Sequence, residues 1–199
     1  MIDEGTIKYA SRWERTGPLD IAGIDDLIRW RKPLHDAGLV GHLAEEDVGY
    51  GNLSVRTTGE GLFLVSGTQT GHVPDVGPEH FSLVTNYDIA RNSLTCRGPV
   101  QASSEALTHA AIYALDASIS AVVHVHNAEL WVGLKASLPA TGTGVAYGTP
   151  EMAMEFRRLY RETDFSVGGV ARMAGHENGL ISTGRTVREA AERILAFSG

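Results

Sequence analysis

Cysteine is almost absent: Cys96 is the only one in 199 residues. A single thiol excludes an intrachain disulfide and any zinc cage built from several thiolates, and it fits a reducing compartment. Long apolar runs are missing too, since no stretch approaches the ~18–20 residues needed to span a bilayer. The opening residues Met1-Ile-Asp-Glu-Gly-Thr-Ile-Lys8 carry neither the basic region nor the apolar run of a secretion signal. A cytoplasmic location is therefore expected. Basic side chains are in the minority, 17 against 24 acidic, for a formal net charge of −7. That balance gives no electrostatic footing for nucleic acid or an anionic membrane surface, and neither is expected as a partner. Internal repeats, low-complexity tracts and an interdomain linker are also missing.

What is present is the make-up of an ordinary globular domain, 43% hydrophobic and 21% charged. The length favours one domain with a sizeable core, over residues 21–199, preceded by a polar arm over residues 1–20. Ile24, Leu27, Ile28 and Leu34 follow helical spacing between Ile21 and Leu39, with Asp20 as N-cap and Gly38 near the stop. Strand-like runs lie at 52–57 and 61–66, joined by Thr57-Thr-Gly-Glu-Gly61, and again near 80–85 and 93–97. A Gly/Pro/His loop fills 67–79. Further helices are predicted over 105–117, 127–136 and 151–161, and strands over 120–126, 167–173 and 180–183. Thr186-Val-Arg-Glu189 has the pattern of a capping box opening a last helix. Helices interleaved with strands in this way predict an α/β fold with a mixed or largely antiparallel sheet.

The chemistry concentrates in three places. In Ser120-Ile-Ser-Ala-Val-Val-His-Val-His-Asn127 the β-branched residues predict a strand, so His124 and His126, two apart, project from the same face. Paired neutral imidazoles suit a borderline-soft divalent metal. His176 lies in the polar turn Ala174-Gly-His-Glu-Asn-Gly179 between two apolar runs. Upstream, Ser103-Ser-Glu-Ala-Leu-Thr-His109 places a serine pair before a helix with Glu105 in its first turn. The reading is three histidines around one metal, with an open coordination position and a carboxylate nearby for proton transfer.

Simpler readings exist for each. His-x-His on a strand is, alone, more often a packed pair than a ligand pair. Glu105 could simply stabilise its helix by ~0.3–1 kcal/mol, and the same dipole would keep it ionised unless burial opposes. His109, one turn after Glu105, could be a further ligand, but a place behind the ligands or in the core is preferred. His35, His42, His72 and His80 have no paired partner and are not expected at the site. Ser103 and Ser104, at a helix start, suit an anion. The tips Gly51-Asn-Leu-Ser-Val-Arg56 and Ser66-Gly-Thr-Gln-Thr-Gly71 could do the same or be ordinary turns.

Taken in order, Gly51-Asn-Leu-Ser-Val-Arg56, Ser66-Gly-Thr68, Ser103-Ser-Glu105 with His109, and Val122-Val-His-Val-His126 resemble the class II aldolase/adducin family. Tyr147-Gly-Thr-Pro-Glu151 and the segment from His176 to Ala190 are also similar to it, so the resemblance runs from about residue 22 to residue 197. It implies a three-layer α/β/α fold with a central, mainly antiparallel sheet, and a homotetramer with active sites at subunit interfaces. It implies a metal-dependent lyase of carbohydrate metabolism that cleaves a small hydroxy-carbonyl compound, a sugar phosphate, through a metal-stabilised enediolate. His124, His126 and His176 then fall on the metal-ligand positions, Glu105 on the acid/base, and Asn52, Ser66, Gly67, Ser103 and Ser104 on the phosphate-binding positions. Zn2+ is the expected ion, with cobalt, manganese and iron also compatible with three imidazoles.

The sequence departs from the sugar-phosphate aldolases in three respects. Residues 137–147 are shorter than the matching stretch, and the tyrosine that donates a proton there has no clear equivalent, Tyr147 being the nearest aromatic. The sequence stops at Gly199 directly after its last helix, where those enzymes carry a mobile tail. Their His-Gly turn is replaced by His176-Glu-Asn-Gly179. Epimerase, dehydratase or decarboxylase chemistry on the same metal site is the alternative, as is a non-catalytic adducin-like binding protein, although that branch tends to lose the ligands this sequence keeps.

Overall fold

The structure is a computed structural model, and it describes residues 5–45, 47–59 and 62–198. Residues 1–4 of the expected arm and Glu60 and Gly61 of the expected turn lie outside that range. Ten strands are described: β1 (Ala10–Arg15), β2 (Gly41–Leu43), β3 (Val48–Tyr50), β4 (Asn52–Arg56), β5 (Phe63–Ser66), β6 (Phe81–Asp88), β7 (Ser93–Gly98), β8 (Ala121–His126), β9 (Val170–Arg172) and β10 (Gly179–Gly184). The helices are α1 (Ile24–Asp36), α2 (Ala106–Tyr113), α3 (Ala128–Gly133), α4 (Pro150–Glu162), α5 (Phe165–Gly168) and α6 (Val187–Leu195). Eight strands form one sheet in the order β1-β7-β6-β5-β4-β8-β10-β9, and β2 and β3 make a separate hairpin. Among the described strands only the β1–β7 pair is parallel, so the sheet is mainly antiparallel, as the sequence predicts.

Alternation along β8 builds the layers. Val122 joins a core with Leu107, Ala110 and Ile112 of α2 and Phe156 and Leu159 of α4. Ala121, Val123 and Val125 face the other way, onto Leu27 and Leu34 of α1 and Val187, Ala190 and Ile194 of α6. Two apolar cores, one on each face of a sheet, are what a three-layer α/β/α arrangement requires. Because side chains alternate with period two, His124 and His126 stand on the α2/α4 face with Val122. Each large core aliphatic contributes roughly 1.5–3 kcal/mol through burial, which makes the sheet centre a stiff mount for polar side chains.

Several local expectations are corrected. Within the expected polar arm, residues 10–15 run as β1 along β7 in register Ala10↔Ser93 to Arg15↔Gly98, and Tyr9 is buried. The amphipathic pattern is absent because β1 is an exposed edge strand, with only Ser11 partly covered. Asp20 does not cap α1; Gly23 does, in the left-handed region at φ 102°. The strand expected over 167–173 is shorter: Phe165–Gly168 turn as a helix, and β9 covers only Val170–Arg172. Thr186 caps α6 through Glu189 N–H at 3.1 Å, while the Glu189 carboxylate takes the N–H of Arg185 at 2.7 Å, one residue earlier than a full capping box.

Candidate metal centre

β8 ends on His126, and β10 begins at Gly179 directly opposite it, with His124 paired to Ile181 on one side and Asn52 of β4 on the other. The turn between β9 and β10 therefore returns next to the two strand histidines. It closes through Met173 N–H to Gly179 O at 2.9 Å, His176 N–H to Met173 O at 3.1 Å, and Gly179 N–H to His176 O at 3.0 Å. Asn178 holds a left-handed φ of 63°, which short polar side chains tolerate. Gly179 is required by crowding. A Cβ there would lie 2.8 Å from His176 Cδ2 and 3.3 Å from His124 Cε1, pressing on both rings.

The three imidazoles converge. His126 Nε2 lies 3.0 Å from His124 Nε2 and 3.1 Å from His176 Nε2, and the three ligand atoms all fall within 4.8 Å of one another. Nitrogens bound to one tetrahedral zinc at ~2.0–2.1 Å stand about 3.3 Å apart, so the spacing fits a shared ion. His124 Nδ1 lies 3.0 Å from the Leu180 carbonyl. Donation of Nδ1–H to that carbonyl fixes the tautomer and leaves the Nε2 lone pair facing the cluster. Burial holds His124 down to about 4, against the opposing Leu180 bond. Burial first, and the neighbouring histidines second, hold His126 and His176 well below the ordinary range. All three are thus neutral at pH 7, the state in which imidazole binds a metal. These residues can hold a metal ion.

Glu105 stands beside them, its Oε1 3.5 Å from His176 Nε2. It occupies the position just before α2, one residue earlier than expected, where the chain turns through Ala106 N–H to Ser103 O at 2.9 Å. The carboxyl is 1% exposed, and neither oxygen accepts a well-formed hydrogen bond among the described residues. Burial pushes it up to about 7, with the nearby Thr108 hydroxyl and Lys8 ammonium offsetting only part. A carboxyl near 7 can take and return a proton close to neutral pH, which is what an acid/base group needs.

Asn52, Gly67, Ser103 and Ser104 line one narrow cleft, together with Gly5, Gly51, Gln69 and Thr70. Ser66 is not brought into it. Its hydroxyl bonds the backbone N–H of Leu53 at 3.1 Å, bracing β5 against β4 instead. His109 is buried outside the three-histidine cluster, with Nδ1 2.7 Å from Ser54 Oγ, whose oxygen also meets Tyr113 at 2.7 Å. His42 and His72 contact each other edge-on and do not enter the cluster.

Two features escaped sequence reasoning. Arg31, 1% exposed, bonds the carbonyls of Thr70 at 2.9 Å and Gly71 at 3.2 Å, pinning the loop that floors the cleft. Its signal was available: it lies four residues after Leu27 and three before Leu34 on the buried stripe of α1. The second is the setting of Tyr147, which the sequence offers only as the aromatic nearest the missing donor. Its ring packs 4.4 Å from His176, centroid to centroid, while its hydroxyl is engaged by the backbone of Thr6 at 3.1 and 3.3 Å.

Residues 37–198 match the family model described as "Class II Aldolase and Adducin N-terminal domain", and the chain belongs to that family. Among solved structures, YgbL from Klebsiella pneumoniae, named only provisionally as an aldolase/epimerase/decarboxylase, is 17% identical, with 88% of this chain and 84% of that one covered at a TM-score of 0.66. L-fuculose-1-phosphate aldolase from Thermus thermophilus is 20% identical, with 88% of each chain covered and a TM-score of 0.59. A sugar-phosphate aldolase from Thermotoga maritima is 15% identical, with 88% and 90% covered at 0.63. At these identities the likeness establishes the fold. No curated protein matches the sequence significantly.

Proposed function

We propose that the protein is a metal-dependent lyase that cleaves or condenses a small hydroxy-carbonyl compound, a sugar phosphate, with His124, His126 and His176 holding Zn2+. The observation that carries this is the buried Glu105 carboxyl 3.5 Å from a ligand histidine, since a purely structural metal site has no use for a desolvated, unbonded acid. A divalent ion at the three histidines supplies Lewis-acid polarisation of a substrate carbonyl. The chain supplies the rest. Glu105 takes and returns the proton at its carboxylate oxygen, and the surrounding core keeps bulk water from competing for it. Asn52, Ser103 and Ser104 offer amide and hydroxyl donors to the phosphate at the turn preceding α2, while Gly67, whose N–H is held by the His80 carbonyl at 2.8 Å, lines the cleft without donating. Ser66 supports this cleft through Leu53 without lining it.

The family supports a homotetramer with active sites at subunit interfaces, and a cytoplasmic location completes the proposal. The engagement of the Tyr147 hydroxyl by Thr6 favours a second reading. With that phenol occupied, a single-base reaction such as epimerisation, dehydration or decarboxylation on the same site becomes the competitor. The test is metal analysis with product analysis over a panel of sugar phosphates, on wild type and Glu105→Gln. Loss of at least 100-fold in turnover with metal retained is expected, in line with the ~10²–10⁴ contributed by a positioned acid/base. Loss of the metal itself would move Glu105 into the coordination shell. Metal-replete wild type that turns over nothing would favour an adducin-like binding role.

A further inference from the structure

β1 lies ahead of residues 37–198, the span of the family match, and forms one outer edge of the eight-stranded sheet. Proteins commonly protect such edges with proline, lysine, a bulge or a very short strand. β1 uses none of these. Ala10-Ser-Arg-Trp-Glu-Arg15 is six residues long, keeps an unbroken register along β7, and is exposed at every position but Ser11. The Trp13 indole turns back toward the sheet, donating its Nε1–H to the Gly98 carbonyl of β7 at 3.0 Å.

The ladder to β7 decides which backbone groups remain. Ala10 N–H donates to Asn92 O at 2.8 Å and Thr16 N–H to Gly98 O at 3.1 Å, so the even-numbered residues bond inward. In a parallel pair the N–H and C=O of one residue serve the same neighbour, and those of Ser11, Trp13 and Arg15 therefore turn outward. No backbone partner meets them among the described residues. A second β1 running antiparallel about a two-fold axis must set outward residues against outward residues, so the axis passes through a residue and not between two. An axis at Arg12 sets that guanidinium against its own copy, and an axis at Glu14 does the same with two carboxylates. Like charges directly opposite are unfavourable. Axes at Ser11 or Arg15 leave little of the two strands overlapping. An axis at Trp13 overlaps residues 11–15 and sets Arg12 against Glu14 of the second copy twice, on one face. Arg12 and Glu14 are both exposed, and no ion pair engages either among the described residues.

We propose that β1 is an interface with a second copy of this chain, the two strands pairing antiparallel about a two-fold axis at Trp13. Two eight-stranded sheets thereby become one. The contact is isologous and closes on itself, so it doubles whatever unit the other surfaces assemble. It does not depend on the catalytic reading above.

Light scattering over a concentration series up to ~1 mM tests this on wild type, Arg12→Glu, Glu14→Arg, the double variant and an equimolar mixture of the two single variants. Wild type is expected to approach twice the mass of either single variant. Each single substitution turns both charge pairs repulsive and should weaken association by about tenfold. The double variant and the mixture, which pair opposite charges again, should recover it. Residue-resolved hydrogen exchange supplies a second readout on wild type alone. The Ser11, Trp13 and Arg15 amides should gain protection as concentration rises, while those of Arg12 and Glu14, held by β7, should not change. Equal masses for wild type and the single variants would overturn the proposal, as would a loss that neither the double variant nor the mixture restores. A doubled mass without protection of the three outward amides would also overturn it, by placing the contact on another surface.

Discussion

Two carboxylates flank α2 and behave in opposite ways. Glu105 precedes its first residue, Ala106, and is pushed up to about 7, chiefly by burial. Asp116 lies three residues beyond Tyr113, at the other end, and is held down to about 2, chiefly by its hydrogen bond from Tyr160, with Ser118 next. The helix dipole alone would do the reverse, favouring the charged acid at the N-terminus and opposing it at the C-terminus. It is overruled because it is small. Moving an acid from 4.5 to about 7 corresponds to roughly 3 kcal/mol, against ~0.3–1 kcal/mol for the dipole. Water access and hydrogen bonds decide the charge state at each end: the interior raises one acid toward neutral pH, and hydrogen bonds near the surface keep the other ionised.

The sharpest way to break this contrast is to remove the charge from the buried end. In metal-free protein, Glu105 has a folded value above its unfolded one. Its favourable contribution is therefore complete below about 4.5 and is lost as pH rises through about 7. Glu105→Gln removes the ionisation, so denaturant unfolding at pH 8.5 should find the metal-free variant more stable than wild type by up to about 2–3 kcal/mol. At pH 4 the two should nearly coincide. Equal stability differences at both values would show that burial is not what sets this carboxyl.

How far the sequence could lead follows the same division. His124 and His126 were legible because a strand's period of two leaves no choice of face, and His176 because a polar turn interrupts two apolar runs. That Glu105 would be desolvated was not legible. Its local context says first turn and dipole, while the neighbour that meets its carboxyl, His176, is distant in sequence. Ser66 shows the same limit, since its residue type suits phosphate but its rotamer serves Leu53. The order of residues 5–15 was missed for another reason: they lack an apolar period because β1 lies along an edge, and they are held by Tyr9, Thr6 and backbone pairing to β7. The three-layer architecture and mainly antiparallel sheet needed only the alternation of core residues, and those expectations agree with the structure.

A second intervention tests whether close packing at the buried end serves the metal. Gly179→Ala places a methyl 2.8 Å from His176 Cδ2 and 3.0 Å from His176 O, and the ring must shift. A ligand misplaced by a few tenths of an ångström should weaken zinc about 10–100-fold, the range seen when groups that orient metal ligands are lost. Competition titration against a chelating dye measures this. An unchanged zinc affinity would mean that the His176 turn yields freely, and the stiffness inferred for the site would have to be given up.

The smallest effect belongs to the exposed end. Asp116 Oδ1 accepts the Ser118 N–H at 2.7 Å, and Oδ2 accepts a short bond from the Tyr160 hydroxyl. Because its folded value of about 2 lies below the ordinary 3.8, its contribution is complete above pH 4 and is lost as pH falls through about 2. Tyr160→Phe removes the largest cause of that depression. Solvent screening at this partly exposed site keeps the effect small, so the thermal midpoint should fall by no more than a few degrees at pH 6, and the gap to wild type should close toward pH 2. A gap that persists at pH 2 would assign the loss to packing of the Tyr160 ring rather than to the charge on Asp116. The two ends of α2 would then differ in burial alone, without the opposing hydrogen bond that makes the surface acid inert.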